Sequence, residues 1–130
     1  MRVRVLVIGA LLGMLAAAPA ASAQTLTPNF PGWERYFSVS SEPFNRRGQP
    51  YLGGYIVSSY GVTATRVQLL VDSLDASGQI VAQRVEWLGG SNLPGFSTSY
   101  FEVPIREQAS RYRVSVFAFV FVQSARVESP

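Results

Sequence analysis

Residues 66–88, RVQLLVDSLDASGQIVAQRVEWL, decide the fold, because two alternating apolar runs flank the tetrapeptide Asp75-Ala76-Ser77-Gly78. Asp at the first position of a turn and Gly at the fourth are typical of a type I turn whose glycine adopts a positive φ as a bulge. The stretch therefore predicts a β-hairpin with strands over residues 66–75 and 79–88.

Pairing of Asp75 with Gln79 would set the register of the whole hairpin. One face is then apolar and carries Val67, Leu69, Val85 and Trp87. The other face is largely polar, should meet solvent, and carries Arg66, Arg84 and Glu86. A slip by one residue would turn Trp87 outward and Glu86 inward, so the alternation favours this register.

The segments before the hairpin predict an arm and two strands. Residues 24–32 contain two prolines and predict an extended arm rather than a helix. Residues 33–39 alternate and predict a first strand, whereas residues 40–50, SSEPFNRRGQP, are rich in turn formers and predict a loop. Residues 51–60 predict the next strand, in which Gly53-Gly54 indicates a bulge or a close backbone approach.

Two further strands are predicted after the hairpin. Residues 96–104 place Phe101 and Val103 on one face and end at Pro104. Residues 111–123, RYRVSVFAFVFVQ, are the most apolar segment after residue 23, and their Val and Phe content favours a strand. We expect a central strand whose core-facing residues are Val114, Val116, Ala118, Val120 and Val122.

The opposite side of this last strand is a stripe of three phenylalanines that needs a cover, because a bare apolar strand face promotes association. Two alternatives stay open. Either aromatic residues near the amino terminus cover the stripe, namely Phe30, Trp33 and Phe37, or the stripe binds another protein or a second copy of this chain. The candidate protein-binding residues are Phe117, Phe119, Phe121, Trp33 and Phe37.

Residues 1–23 have the layout of a secretory signal peptide, with Arg2 and Arg4, an apolar run, and Ala21-Ser22-Ala23 at the end. The apolar run is shorter than the roughly 20 residues that span a bilayer. We expect cleavage after Ala23, a periplasmic or secreted product, and no membrane span after cleavage. The predicted organisation is a signal peptide (1–23), an extended arm (24–32) and a single β-sandwich domain (33–130).

Cleavage would leave 107 of the 130 residues, a length that suits one β-sandwich. Removing Arg2 and Arg4 from the eleven basic residues leaves nine against eight Asp and Glu, so the mature chain is nearly neutral. This balance argues against nucleic acid as a partner.

The chain contains no His and no Cys, which excludes Ser-His-Asp and Cys-His catalysis and most zinc, copper and haem ligation. Asp72 and Asp75 with Ser77 are the candidate calcium ligands, but a turn role for Asp75 explains the pattern more simply. Glu86 and Glu102 are the only carboxylate pair on adjacent predicted strands. We expect no catalytic residues, no metal site and no cofactor.

The central stretch resembles the FxLYD family of small extracytoplasmic domains over about half of the mature chain. The matching residues are Gly54-Tyr55-Ile56, the run Val67 to Val71, Leu74-Asp75 with Gly78, Leu93-Pro94-Gly95, and Phe101-Glu102-Val103-Pro104. The resemblance implies an immunoglobulin-like β-sandwich and an accessory role without shared catalytic residues.

The predicted fold is all-β, an immunoglobulin-like β-sandwich of about seven antiparallel strands. The leading functional hypothesis is an exported, non-catalytic binding or assembly module that contacts another envelope or secreted protein, with self-association as a possibility. The alternatives are a carbohydrate-binding module, which would present a planar row of exposed Trp or Tyr on one sheet face, and a small hydrolase that uses carboxylates alone.

Overall fold

The computed structural model describes residues 24–90 and 92–122, which form an all-β sandwich of two antiparallel sheets. This confirms the predicted fold class. The described strands are β1 Phe37–Arg46, β2 Gln49–Ser58, β3 Ala64–Leu74, β4 Ile80–Trp87, β5 Asn92–Leu93, β6 Thr98–Pro104 and β7 Arg111–Phe121. One turn of 3₁₀ helix, Trp33–Arg35, precedes β1. The predicted signal peptide lies outside the described residues, and no helix in the described part is long and apolar enough to cross a membrane.

The first sheet has the order β1-β2-β6, and the second is centred on β3, with β7 along one edge and β4 and β5 along the other. These orders correspond to strands A-B-E and C′-C-F of an immunoglobulin sandwich. The prediction that the last strand is central is wrong, since β7 pairs with β3 alone among the strands of the described chain. The central strand is β3, which is buried on both faces from Leu69 to Leu74.

The β1–β2 hairpin replaces the strand and loop that were predicted before residue 51. Trp33 lies in the 3₁₀ turn, and most of the predicted loop is strand β1. The connection is a two-residue turn at Arg47 and Gly48, whose φ angles of 53° and 79° are both positive, as in the type I′ turns that match the twist of antiparallel strands. Arg47 therefore occupies a position that Asn or Gly usually takes, which is why the turn is hard to predict.

The turn of the β3–β4 hairpin is confirmed, but its predicted register is wrong beyond the pair of Leu74 and Ile80. The Asp75 amide donates to the Gln79 carbonyl at 2.9 Å, and Gly78 has a φ of 89°. Val81 is then an extra residue, because Leu74 pairs with Ile80 whereas Ser73 pairs with Ala82. This bulge shifts every later pair of the hairpin by one residue.

The shift exchanges the two faces of β4. Trp87 lies opposite Gln68 on the outer face and is 60% exposed, and Val85 also points outward, contrary to prediction. Arg84 and Glu86, predicted to lie in solvent, share the inner face with Val71 and Leu69, their pairing partners on β3. Their charged groups contact each other in an ion pair on that face.

β7 also changes the face that it buries. Val116 is fully buried and Val114 packs against the core, as predicted. Beyond Phe117 it is Phe119 and Phe121 that pack against the core, while the predicted core residues Val120 and Val122 are exposed. The pairing of β7 with β3 is irregular at this point, and Arg66 on β3 has a φ of 56°. A local bulge therefore turns two of the three phenylalanines inward.

Candidate functional site

Two rings of the phenylalanine stripe, those of Phe119 and Phe121, are covered from within the chain. The Phe30 ring stacks on Phe119 with centroids 5.1 Å apart, and Phe37 meets the same ring edge-on at 4.9 Å. Tyr36 covers Phe121 at 5.2 Å. These contacts correspond to the first of the two alternatives that the sequence left open.

None of the five predicted protein-binding residues is exposed. Phe37 is 2% exposed and belongs to the core, and Phe119 and Phe121 are half-buried against it. Phe117 is half-buried, and its carbonyl accepts the Asn29 amide at 2.8 Å. Trp33 is half-buried and lines a small groove beneath the arm. In this fold the five residues are part of the packing between β7 and the amino-terminal segment.

The arm, residues 24–32, crosses the outer face of the second sheet and is held there by Gln83. The Gln83 side chain accepts the Leu26 amide at 2.8 Å and donates to the Leu26 carbonyl at 3.0 Å. The same side chain donates to Asp72 at 2.8 Å, and Arg113 donates two hydrogen bonds to the other carboxylate oxygen of Asp72 at 2.9 and 3.0 Å. Asp72 is only 3% exposed and links three strands to the arm.

The two aspartates considered as calcium ligands have partners already. The Asp75 carboxylate accepts the amides of Gln79 and Ser77, each at 2.9 Å, and the Ser77 hydroxyl at 2.8 Å. These hydrogen bonds, the one from Gln79 most of all, lower the pKa of Asp75. Asp72 is held by Gln83 and Arg113. Within residues 24–90 and 92–122, no three carboxylates come together in a way that suits a metal ion.

The outer face of sheet β1-β2-β6 carries exposed and half-exposed aromatic side chains next to an ion pair. We call it the tyrosine face, and it consists of Phe44, Arg46, Tyr51, Tyr55, Tyr100 and Glu102. Tyr55 and Tyr100 are direct cross-strand partners, each is 50% exposed, and their ring centroids lie 5.2 Å apart at an angle of 59°. Two large amphipathic side chains therefore stand side by side in solvent.

Gly53 forms the floor of this face. A Cβ atom at this position would lie 2.7 Å from the Tyr100 hydroxyl and 2.8 Å from the Phe44 ring, so only glycine lets both side chains close over the strand. Beside them lies a shallow groove of about 560 Å³, lined by residues of all three strands: Ser40, Ser41, Glu42, Phe44, Gly53, Gly54, Tyr55 and Tyr100.

Charges fix the geometry of the tyrosine face. Arg46 binds both carboxylate oxygens of Glu102, at 2.6 and 2.7 Å, and the Tyr100 hydroxyl donates to Glu102 at 3.0 Å. The hydrogen bond from Arg46 lowers the pKa of Glu102, and the bond to Glu102 raises the pKa of Tyr100. The Arg46 guanidinium also lies over the rings of Phe44 and Tyr51, 5.3 and 5.8 Å from their centroids.

Glu86 and Glu102 do not face each other, and the prediction that they lie on adjacent strands is wrong. Glu86 is on the inner face of the second sheet beside Arg84, whereas Glu102 is on the outer face of the first sheet beside Arg46. The Arg84 guanidinium also donates to the Pro104 carbonyl, and burial, more than the neighbouring charge of Arg106, lowers the pKa of Arg84. The two carboxylates share no groove of the kind that glycoside hydrolysis requires.

Sequence reasoning missed the tyrosine face. Its signals were the even spacing of Tyr51, Gly53 and Tyr55 on β2 and of Tyr100 and Glu102 on β6. These spacings indicate a shared surface only once β2 and β6, which are distant in sequence, are known to be neighbours in the sheet. No family model, curated protein or solved structure matches this chain. Its function is therefore inferred from the geometry of its surfaces.

Proposed function

We propose that this chain is an exported, non-catalytic binding module that contacts another envelope or secreted protein through the tyrosine face. The observation that carries the proposal is the half-exposed pair Tyr55 and Tyr100 beside the fixed guanidinium of Arg46. Tyr and Arg are the residue types enriched at the energetic centres of protein interfaces. Tyrosine also buries a large area at a low entropic cost, since few of its bonds rotate.

The face is held in place before any partner arrives. Tyr100 is anchored to Glu102, Glu102 to Arg46, and the Arg46 side chain lies along the rings of Phe44 and Tyr51. Side chains that are already ordered lose little rotamer freedom on association, which improves affinity without adding contacts. This preorganisation favours a binding role.

Export and family membership belong to the same proposal. Export is supported by the signal-peptide layout of residues 1–23, which lie outside the described residues. We further propose that the chain is an accessory domain of FxLYD type, supported by the resemblance of its central stretch and by an immunoglobulin-like strand order. An envelope or extracellular protein is then the partner that the chain would meet.

The proposal is tested by site-specific photo-crosslinking in the native envelope. A photoreactive amino acid at Ser40, which lines the groove, should capture a discrete protein partner. The product should disappear when Tyr55 and Tyr100 are both replaced by Ser and persist when Trp87, an exposed aromatic residue on the other sheet, is replaced by Ser. A crosslink that survives the double substitution argues against the tyrosine face.

A second candidate function is carbohydrate binding, which is favoured by a hydroxyl and a carboxylate group beside the two tyrosines, at Ser40 and Glu42. The 59° angle between the Tyr55 and Tyr100 rings departs from the planar row expected of such a module. A glycan array separates the two functions. Binding of a defined glycan that requires Tyr55 and Tyr100 would favour carbohydrate binding over binding of a protein partner.

A further inference from the structure

We propose that the free edge of β6 pairs with β6 of a second copy of this chain, in antiparallel orientation about a two-fold axis. The result is one continuous sheet with three strands from each subunit. This inference goes beyond the proposed function, because it needs no other protein and rests on the backbone of the strand rather than on the tyrosine rings.

Two hydrogen bonds establish which backbone groups of β6 are free. The Ser58 amide of β2 donates to the Ser97 carbonyl at 2.8 Å, and the Ile105 amide donates to the Pro50 carbonyl at 3.0 Å. The amide and carbonyl groups of successive residues point alternately to the two sides of a strand. The amides and carbonyls of the odd-numbered residues of this segment therefore point towards β2. The amides and carbonyls of Thr98, Tyr100 and Glu102 point away, and no described strand pairs with them.

The edges of β1, β4 and β7 carry obstacles to pairing that β6 lacks. By the same alternation, Pro43 stands where β1 would present an outward amide. β4 has the bulge at Val81 and the inward charges of Arg84 and Glu86, and the arm hydrogen-bonds to the edge of β7 at Phe117. Bulges, prolines, inward charges and covering segments are the devices that prevent edge pairing. From Thr98 to Val103, β6 has none of them.

The end of β6 limits the pairing. The Pro104 carbonyl, also on the outer side of the strand, already accepts the Arg84 guanidinium. At the other end, Phe96 has a φ of 56° and leaves the strand conformation. The available segment is therefore Thr98 to Val103, and the constant-type immunoglobulin sandwich has a fourth strand at the corresponding position.

The available segment is complementary to itself. A two-fold axis at Tyr100 places Thr98 opposite Glu102 of the partner subunit, so that a hydroxyl donor faces each carboxylate. All three outward-pointing residues then form hydrogen-bonded pairs, with about six backbone hydrogen bonds in total. An axis at Glu102 would instead oppose two carboxylates, which destabilises a cross-strand pair. Of these two axes, the side chains favour the one at Tyr100.

Thr98 offers a test that leaves both tyrosines in place. Thr98→Arg should tighten the dimer, because it faces Glu102 of the partner subunit, and Thr98→Glu should weaken it. Each change is expected to alter the dissociation constant by roughly 2- to 30-fold, since the pair occurs twice. The measurement is sedimentation equilibrium of the mature chain over a range of concentrations, with circular dichroism as the check on folding.

A proline pair supplies the matched control. Thr98→Pro removes an outward amide from β6 and should abolish the dimer, whereas Ser41→Pro removes an outward amide from β1 and should leave the dimer intact. If Thr98→Pro prevents folding, the two charge variants carry the test. The proposal is overturned by a wild-type chain that stays monomeric at millimolar concentration, or by Arg and Glu at position 98 acting in the same direction. Because these variants retain Tyr55 and Tyr100, failure here leaves the photo-crosslinking result unaffected.

Discussion

Arg46 on β1 reaches over β2 to Glu102 on β6 and binds its carboxylate with both terminal nitrogens, at 2.6 and 2.7 Å. The bridge joins the two edge strands of the sheet across β2, where the guanidinium lies over the ring of Tyr51. The Arg46 side chain is half exposed, so solvent screens the pair and its contribution to folding is small. Its consequence is geometric, because it fixes the carboxylate to which Tyr100 is bonded.

The first prediction concerns the ionisation of Tyr100. The Glu102 carboxylate accepts the Tyr100 hydroxyl and raises the pKa of the phenol. Glu102→Gln should lower that pKa towards the ordinary value of about 10. An NMR titration of the tyrosine ring carbons measures it. Glu42→Gln, a change on the same face that removes no bond to Tyr100, is the control, and an equal pKa in all three proteins would contradict the bond.

The second prediction concerns acid stability. Hydrogen bonds from Gln79 and Ser77 hold the pKa of Asp75 below its unfolded value, so the folded state binds its proton less readily. The contribution of Asp75 is therefore present above about pH 4 and is lost as the pH falls through the folded-state pKa. Thermal unfolding between acid and neutral pH should show a smaller acid loss for Asp75→Asn than for the wild type. If Asp75→Asn lost as much stability in acid as the wild type, the hydrogen bonds of the turn would be contradicted.

The third prediction concerns close packing at Gly54. A Cβ atom there would overlap the carbonyl oxygen of Ser40, a backbone atom that has little freedom to move. Gly54→Ala should destabilise the protein by about 2–4 kcal/mol in urea unfolding. Gly89→Ala is the matched control, because nothing lies within 4 Å of a Cβ at that position, and it should change stability by no more than about 0.5 kcal/mol. Equal effects would argue against the β1–β2 register.

The fourth prediction tests the register of β3 and β4. The chain has two tryptophans, so Trp33→Phe isolates the fluorescence of Trp87. Trp87 lies on the outer face of the sheet, and its emission should be that of a solvated indole, readily quenched by iodide. The register predicted from the sequence would bury the indole. A blue-shifted emission that is protected from iodide would therefore support that register instead.

The β3–β4 hairpin shows how much of a strand pairing can be predicted from local sequence. The turn at Asp75 and Gly78 was predictable because its residue types satisfy their own backbone. The bulge at Val81 was not, because no glycine or turn former marks it. Alternation also misled, since it gave Glu86 a solvent-facing position, whereas Glu86 lies on the inner face beside Arg84, its ion-pair partner on the same strand.

The candidate site depended on longer-range information. Phe117, Phe119 and Phe121 form a conspicuous stripe, yet a local bulge and the arm place Phe119 and Phe121 against other aromatic rings. The tyrosine face unites side chains from three strands, and its binding geometry follows from the pairing of Tyr55 with Tyr100. Such pairing is set by the packing of the whole sandwich and has no signature within either strand.

Binding of a protein by the tyrosine face is measured most directly as the affinity for the partner captured by the crosslink at Ser40. Replacing Tyr55 and Tyr100 by Ser should raise the dissociation constant about 30-fold or more while folding is retained, as expected for residues at an interface centre. Trp87→Ser should leave the constant unchanged. Unaltered binding by the double variant, or an equal loss of affinity with Trp87→Ser, would contradict binding through the tyrosine face.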